Sequence, residues 1–131
     1  MKPLSLMLIA GEASGDLLTA ELVGALREKL IARSVETSAE AQPLRTALMP
    51  RFFGAGGPRM AAAGVELAFD LTQHAVIGLS DVLENYLKFR RLFHQLLKLA
   101  IEEQPDAIIG VDFGGFNLRF AKTIKNHVHR H

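Results

Sequence analysis

Hydrophobic and polar positions follow two different periods along the chain, and the changes of period predict strands and helices. Residues 4–10 (LSLMLIA) form a short apolar run that Gly11 closes, which is typical of a strand buried on both faces. Leucines then recur at helical spacing over residues 16–30, and Asp16 is placed to cap that helix. Residues 31–50 carry little pattern and predict a long connection.

The same alternation continues to the end of the chain. Strands are predicted at 51–55, 65–69 and 107–111, and helices at 58–63, 80–104 and 117–125. Strands that alternate with helices predict one α/β domain with a parallel sheet, helices on both faces and right-handed crossovers. Residues 126–131 follow a helix, where a further strand is expected, so we expect the domain to be incomplete.

Composition narrows the class of protein. The 131 residues are enough to bury a core, and 15 basic against 14 acidic residues give no charge that would attract nucleic acid. The chain has no Cys, which excludes disulfides, thiolate metal sites and a cysteine nucleophile. Its longest apolar runs are far shorter than the ~20 residues of a membrane span, and no signal peptide is evident. We therefore expect a soluble, cytosolic chain.

Three glycine-containing loops follow predicted strands, at residues 11–16 (GEASGD), 54–60 (GAGGPRM) and 110–117 (GVDFGGFN). Ligands of open α/β sheets bind at the carboxyl ends of strands, yet none of these spacings is a dinucleotide or Walker A fingerprint. The first loop fits a ligand-binding loop and a capped βα turn equally well. The second favours a simple turn with a solvated Arg59. Asp112 in the third is either a general base or a helix cap or ion-pair partner.

Two basic features have alternative interpretations. The helix predicted at 80–104 carries basic residues beside its apolar stripe, which suits an anionic membrane surface or, more commonly, a core stripe with a solvated face. His127, His129 and His131 alternate, so an extended tail would place them on one side as a weak metal site. A chain terminus seldom holds such ligands fixed, so no metal cofactor is expected.

Taken in order, GEASGD, GGPRM, AVIGLSDVL and PDAIIGVDFGGFN resemble the lipid-A-disaccharide synthase family over residues 4–125, apart from the longer connection at 31–50. The resemblance implies the N-terminal, acceptor-side half of a two-domain (GT-B) glycosyltransferase built from two Rossmann-like domains. That family transfers diacylglucosamine from its UDP carrier to an acylated glucosamine 1-phosphate, with inversion and without a metal or redox cofactor. Its place is in lipid A assembly, peripheral to the cytoplasmic face of the inner membrane.

The resemblance also implies roles for particular residues. Asp112 matches the family's candidate catalytic base. Substrate-binding roles carry over to residues of all three loops: Glu12, Ser14, Gly15, Asp16, Gly57, Arg59 and Asn117. Contact with the bilayer or acyl chains is implied for Val82, Leu83, Tyr86 and Phe89. The chain departs from the family pattern at Gly115, where a second aspartate is usual, and at Ser80 and Arg90, which replace apolar residues.

In the family, a second domain binds the UDP donor. The resemblance places that domain outside residues 1–131. We therefore expect these residues alone to be inactive, because transfer needs donor and acceptor held together. An open sheet edge favours self-association. Two alternatives remain open: a non-catalytic or degenerate ligand-binding α/β module, and a nucleotide-binding domain of unrelated function.

Overall fold

A computed structural model describes residues 3–37, 49–74, 82–111 and 114–130. The order of the helices and strands is β1 (Ser5–Ala10), α1 (Ala13–Thr37), β2 (Arg51–Gly56), α2 (Pro58–Ala62), β3 (Glu66–Asp70), a 3-10 turn (Thr72–His74), α3 (Val82–Glu103), β4 (Ala107–Val111) and α4 (Gly114–Arg130). The four strands form one parallel sheet in the order β3-β2-β1-β4.

Helices cover both faces of the sheet. Successive side chains of each strand point to opposite sides, so both faces carry apolar side chains that a helix must cover. Met7 and Ile9 of β1 contribute to a core that includes the α3 residue Leu96 and the α4 residue Phe120. The other side chains of β1 contribute to a second core with residues of α1 and α2: Leu6, Leu8 and Ala10 with Val23 and Met60. The predicted α/β architecture is confirmed.

The strand order reverses between β1 and β4. The chain adds β2 and β3 on one side of β1 and then returns through α3 to place β4 on the other side, where Ala10 pairs with Val111. In open α/β sheets the ligand crevice lies outside the carboxyl ends of the strands at such a point. The fold therefore brings the carboxyl end of β1 next to the carboxyl end of β4.

Two glycines are required by backbone geometry. Gly54 in β2 has a φ of 148°, and a Cβ there would overlap the carbonyl oxygen of Leu8 in β1. Gly64 has a φ of 99° and ends α2: its N–H donates to the carbonyl of Ala61, and that of Val65 donates to Met60, over 3.1 and 3.0 Å. This pair of bonds is a Schellman motif.

The first helix differs from the sequence prediction at both ends. It begins at Ala13 instead of at a capping Asp16, and it continues to Thr37. Residues 31–37 belong to it because the first Gly or Pro after Leu30 is Pro43, so no helix-breaking residue stops the helix earlier. The remainder of the predicted connection, residues 38–48, lies outside the described residues.

The last helix also extends beyond its predicted bounds. Helix α4 runs from Gly114 to Arg130, so Asn117 lies inside it, and His127 and His129 belong to a helix instead of an extended tail. Helical residues two apart point about 200° away from each other, so these two imidazoles do not share a side. His131 lies outside the described residues. The part of the chain described holds no group of three metal-binding side chains.

A surface ion-pair cluster lies at the amino end of the sheet, opposite the crevice. The Arg51 guanidinium donates to Glu66 of β3 and Glu103 of α3, each over 2.7 Å, and it lies over the Phe53 ring. The hydrogen bond to Glu66, followed by that to Glu103, raises the pKa of Arg51 above its usual value. Within the described residues, no helix is both long and apolar enough to cross a bilayer.

Candidate active site

The carboxylate of Asp16 joins the first two motif loops. Asp16 is 2% exposed, and its Oδ1 accepts hydrogen bonds from the backbone N–H groups of Gly57 and Met60 over 3.0 and 2.9 Å. Its Oδ2 accepts from the N–H of Arg59 over 3.0 Å. These donors belong to the first turn of α2, where N–H groups lack partners within the helix. The prediction that Asp16 caps its own helix is therefore wrong, because it caps α2.

Gly57 provides the space that this carboxylate occupies. A Cβ at Gly57 would lie 2.5 Å from Oδ2 and 2.7 Å from Cγ of Asp16, and 3.0 Å from Cγ2 of Thr72. The φ of Gly57 is −126°, which any residue adopts, so the requirement is for space. Asp16 and Gly57 thus hold the two loops together, and direct contact of either with substrate stays a prediction.

The junction of β1 with α1 presents two polar side chains to solvent. Glu12 and Ser14 are exposed, whereas Gly15 is buried and its carbonyl accepts a 2.6 Å bond from the buried Thr19 hydroxyl. The Glu12 carbonyl accepts from the N–H of Asp16 over 2.9 Å. These bonds fix the first turn of α1, and Glu12 and Ser14 are exposed beyond the carboxyl end of β1.

Arg59 is anchored at its backbone and exposed at its side chain. Its N–H is bound by Asp16, while its guanidinium has no ion pair among the residues that the structure describes. An exposed guanidinium at a fixed backbone position can donate two parallel bonds to a carboxylate or phosphate. The exposed side chain agrees with the solvated Arg59 that the sequence favours, and its contact with substrate stays a prediction.

Asp112, the predicted base, and Phe113 lie outside the described residues. Its chain neighbour Val111 ends β4 and pairs with Ala10, the last residue of β1. Asn117 lies one helical turn into α4, where its side-chain amide is buried without a hydrogen-bond partner in the described part of the chain. A Cβ at Gly110 would lie 2.7 Å from Cγ of Asn117, so this amide packs closely against β4.

The predicted membrane-contacting residues all lie on α3. Tyr86 is 56% exposed and Phe89 packs partly against the core shared with α4. Val82 and Leu83 begin the helix, and their side chains lie outside the described part. Of the four, Tyr86 is the side chain that the structure shows facing outward.

A cavity of about 530 Å³ between α3 and α4 was not evident from the sequence. Its walls combine aromatic and basic side chains with one glycine: Tyr86, Phe89, Arg90, Phe93, His94, Gly115, Phe116 and Arg119. No spacing signal predicts it, because the contributing residues belong to two helices separated by a strand. It lies at the amino-terminal end of α4.

The parallel sheet, its reversal between β1 and β4, and the joined motif loops define a Rossmann-like α/β domain with its crevice at the carboxyl edge. Residues 6–131 match the family model described as lipid-A-disaccharide synthetase. The chain belongs to this family, which confirms the resemblance found in the sequence.

Curated relatives agree with this assignment. The lipid-A-disaccharide synthase of Myxococcus xanthus is 41% identical over 123 residues, covering 94% of this chain. The enzymes of Trichlorobacter lovleyi and Pectobacterium atrosepticum are 39% and 33% identical over 95% and 96% of the chain. In each comparison the chain spans 28% of the relative's length.

Proposed function

We propose that residues 1–131 form the acceptor-side domain of an inverting glycosyltransferase of lipid A biosynthesis. The reaction transfers diacylglucosamine from its UDP carrier to an acylated glucosamine 1-phosphate, giving lipid A disaccharide and UDP. Family membership supports this proposal, and one structural observation carries it. The junction of β1 with α1, where Glu12 and Ser14 lie, adjoins the end of β4, and Asp112 is the residue that follows β4.

In this proposal the Asp112 carboxylate accepts the proton of the acceptor hydroxyl as its oxygen attacks the anomeric carbon of the donor. The bond from that carbon to the UDP oxygen breaks, and attack from the opposite face inverts the centre. General-base assistance of this kind contributes roughly 10²–10⁴-fold to rate. Glu12, Ser14 and Arg59 bind polar groups of the substrate. Asp16 acts through α2 by fixing the backbone of Arg59.

The donor is held by a second domain that residues 1–131 do not supply in this proposal, so these residues alone do not turn over. The test is a chimera in which residues 1–131 replace the matching segment of the Myxococcus xanthus relative. Formation of disaccharide and UDP by the chimera supports the proposal. A chimera that unfolds cooperatively but makes no product contradicts the proposal and favours a degenerate ligand-binding module. Gly115, which stands where the family usually has an aspartate, also favours that alternative.

From the exposed face of α3 we infer that the protein lies peripherally on the anionic cytoplasmic face of the inner membrane. Tyr86 and Leu87 are exposed there next to Lys88, Arg90 and Arg91. Apolar and basic side chains together favour an anionic lipid surface. Co-sedimentation with phosphatidylglycerol vesicles but not with phosphatidylcholine vesicles is expected, and equal binding to both would contradict this inference.

We also infer self-association through β4. This strand pairs with β1 alone among the described strands, and Ala107 and Gly110 on it are exposed. An unpaired edge strand offers its N–H and C=O groups to a second copy. Sedimentation velocity of the 131-residue chain should show a dimer that Ala107→Lys dissociates. A monomer at all concentrations would refute this contact.

A further inference from the structure

We propose that the groove between β4 and α4 receives a fifth strand, parallel to β4, and that the Asn117 amide pairs with a peptide group of that strand. The occupant is the segment that follows residue 131 in the chimera described above. The proposal concerns how the sheet is completed, so it goes beyond the proposed function and does not depend on the transfer reaction.

The groove follows the open edge of the sheet and encloses about 340 Å³. Residues of β4 and α4 line it: Ala107, Ile108 and Gly110 from the strand, and Phe120, Ala121 and Ile124 from the helix. Among the described strands β4 pairs with β1 alone, so the backbone N–H and C=O groups on its other side have no strand partner there. An extended polypeptide fits such a groove, because its backbone can pair with the strand edge while its side chains pack on the helix.

The handedness of the fold decides where the next strand lies. Helices α3 and α4 pack on the same face of the sheet, since Leu96 and Phe120 belong to one core. The chain leads from β3 through α3 to β4, on the far side of β2 and β1. A right-handed crossover through α4 on that same face runs in the same direction. It therefore places the next parallel strand beyond β4, where the strand covers the groove.

Asn117 gives a second, independent indication of this occupant. Its side-chain oxygen and nitrogen are buried, and neither has a hydrogen-bond partner in the part of the chain that the structure describes. A buried amide without partners is destabilising. An amide accepts from a peptide N–H and donates to a peptide C=O, and a strand in the groove that Asn117 lines provides both groups. The amide packs beside Gly110, so the pairing fixes the strand near the carboxyl end of β4.

A second copy of this chain is the competing occupant of the edge. In an antiparallel dimer that continues the sheet across β4, the two α4 helices lie next to each other on one face. Helix α4 has no Asp or Glu, and its basic residues would be brought together in pairs: Arg119, Lys122, Lys125 and Arg130. A single strand brings no second α4. The strand therefore displaces the second copy, which pairs with β4 only while the groove is empty.

The first test compares Asn117→Ala with Asn126→Ala by thermal unfolding, in the 131-residue chain and in the chimera. Asn126 is exposed on the same helix, so its replacement gives the same gain in helix propensity outside the groove. Asn117→Ala should raise the midpoint of the 131-residue chain at least as much as the control does, because it removes an unpaired amide. In the chimera it should lower the midpoint by about 3 °C, while the control should not. Equal midpoints of the two variants in the chimera would overturn the proposal.

The second test supplies the strand as a separate peptide. The probe is a fluorescent peptide of about ten residues, the length of a long strand, with the sequence that follows residue 131 in the chimera. Its anisotropy is titrated with the 131-residue chain. Asn117→Ala should weaken binding about tenfold, as expected for the loss of two hydrogen bonds, and Asn126→Ala by less than about twofold. Equal binding by both variants, or equally tight binding of a scrambled peptide, would overturn the proposal.

Hydrogen exchange locates the strand directly. In the chimera, the backbone N–H groups of residues 107–111 that point away from β1 should exchange at least about tenfold more slowly than in the monomeric 131-residue chain. Equal rates would overturn the proposal. So would protection that depends on the concentration of the 131-residue chain and not on the peptide, since that result assigns the edge to a second copy. None of these measurements involves transfer, so their failure is distinct from failure of the proposed function, which the activity of the chimera reports.

Discussion

Asp16 in the first turn of α1 and Gly57 at the start of α2 depend on each other. The N–H of Gly57 donates to Oδ1 of Asp16 over 3.0 Å, and a Cβ on Gly57 would lie 2.5 Å from Oδ2 of the same carboxylate. The acidic residue of the first motif therefore needs the glycine of the second. The two motifs form one structural unit that aligns the start of α2 with the crevice.

Asp16→Ala should lower the free energy of unfolding by about 3 kcal/mol, because three N–H donors at the start of α2 lose a charged acceptor. Urea unfolding of the 131-residue chain measures this change. Glu21→Ala, an exposed acidic residue on the same helix, is the control and should change stability by less than ~0.5 kcal/mol. Equal stability of the two variants would contradict the capping role.

Gly57→Ala should also destabilise the chain, by about 2 kcal/mol, because the new Cβ displaces the Asp16 carboxylate. The cost should be smaller in the Asp16→Ala background, where that carboxylate is absent. A double-mutant cycle measures the difference as a coupling energy of roughly 1 kcal/mol or more. Additive effects would show that the two residues do not act together.

Gly54→Ala should be among the most damaging single changes, costing more than about 3 kcal/mol, since a Cβ there overlaps the Leu8 carbonyl and the φ of 148° is strained for alanine. Gly24→Ala is the matched control within α1. Its Cβ meets no other heavy atom within 4 Å, so it should stabilise the helix by about 0.5–1 kcal/mol. Thermal unfolding distinguishes the two, and a tolerated Gly54→Ala would contradict the close approach of β1 and β2.

Arg51→Met should cost less than about 1 kcal/mol despite its two ion pairs, because the pairs are solvent-exposed and the Met side chain can still cover Phe53. The cost should shrink further at 1 M salt. Urea unfolding at low and high salt measures both. A loss above ~2 kcal/mol that is independent of salt would show that this cluster is a principal support of the sheet.

Local patterns predict the strands and helices well in this chain. Residues 107–111 form the predicted strand, and Gly64 ends a helix where a glycine is expected. Errors arise where no breaker marks a boundary, as after Leu30 and after Lys125. The capping of α2 by Asp16 could not be predicted, because its partners lie more than 40 residues away in sequence. The cavity with Arg90 and Arg119 was missed because its walls come from two helices that a strand separates in sequence.

The order of the sequence motifs identifies the candidate site residues, and their burial and hydrogen bonding in the structure distinguish their roles. Glu12, Ser14 and Arg59 face the solvent at the carboxyl edge, while Asp16, Gly15 and Gly57 are buried supports. Such a division depends on burial and hydrogen bonding, which motif spacing does not encode. The family pattern therefore locates the crevice, and the structure indicates which side chains are able to reach a ligand.

The proposal that Asp112 is the general base of a glycosyltransferase is tested most directly by comparing two turnover numbers. They are those of the chimera and of its Asp112→Asn variant. We expect the parent chimera to form disaccharide and UDP, and Asp112→Asn to lower kcat by roughly 10²–10⁴-fold with an unchanged unfolding midpoint. Glu21→Gln, on the exposed side of α1, should retain full turnover. Undiminished turnover in Asp112→Asn would remove the general base from the mechanism and contradict the account.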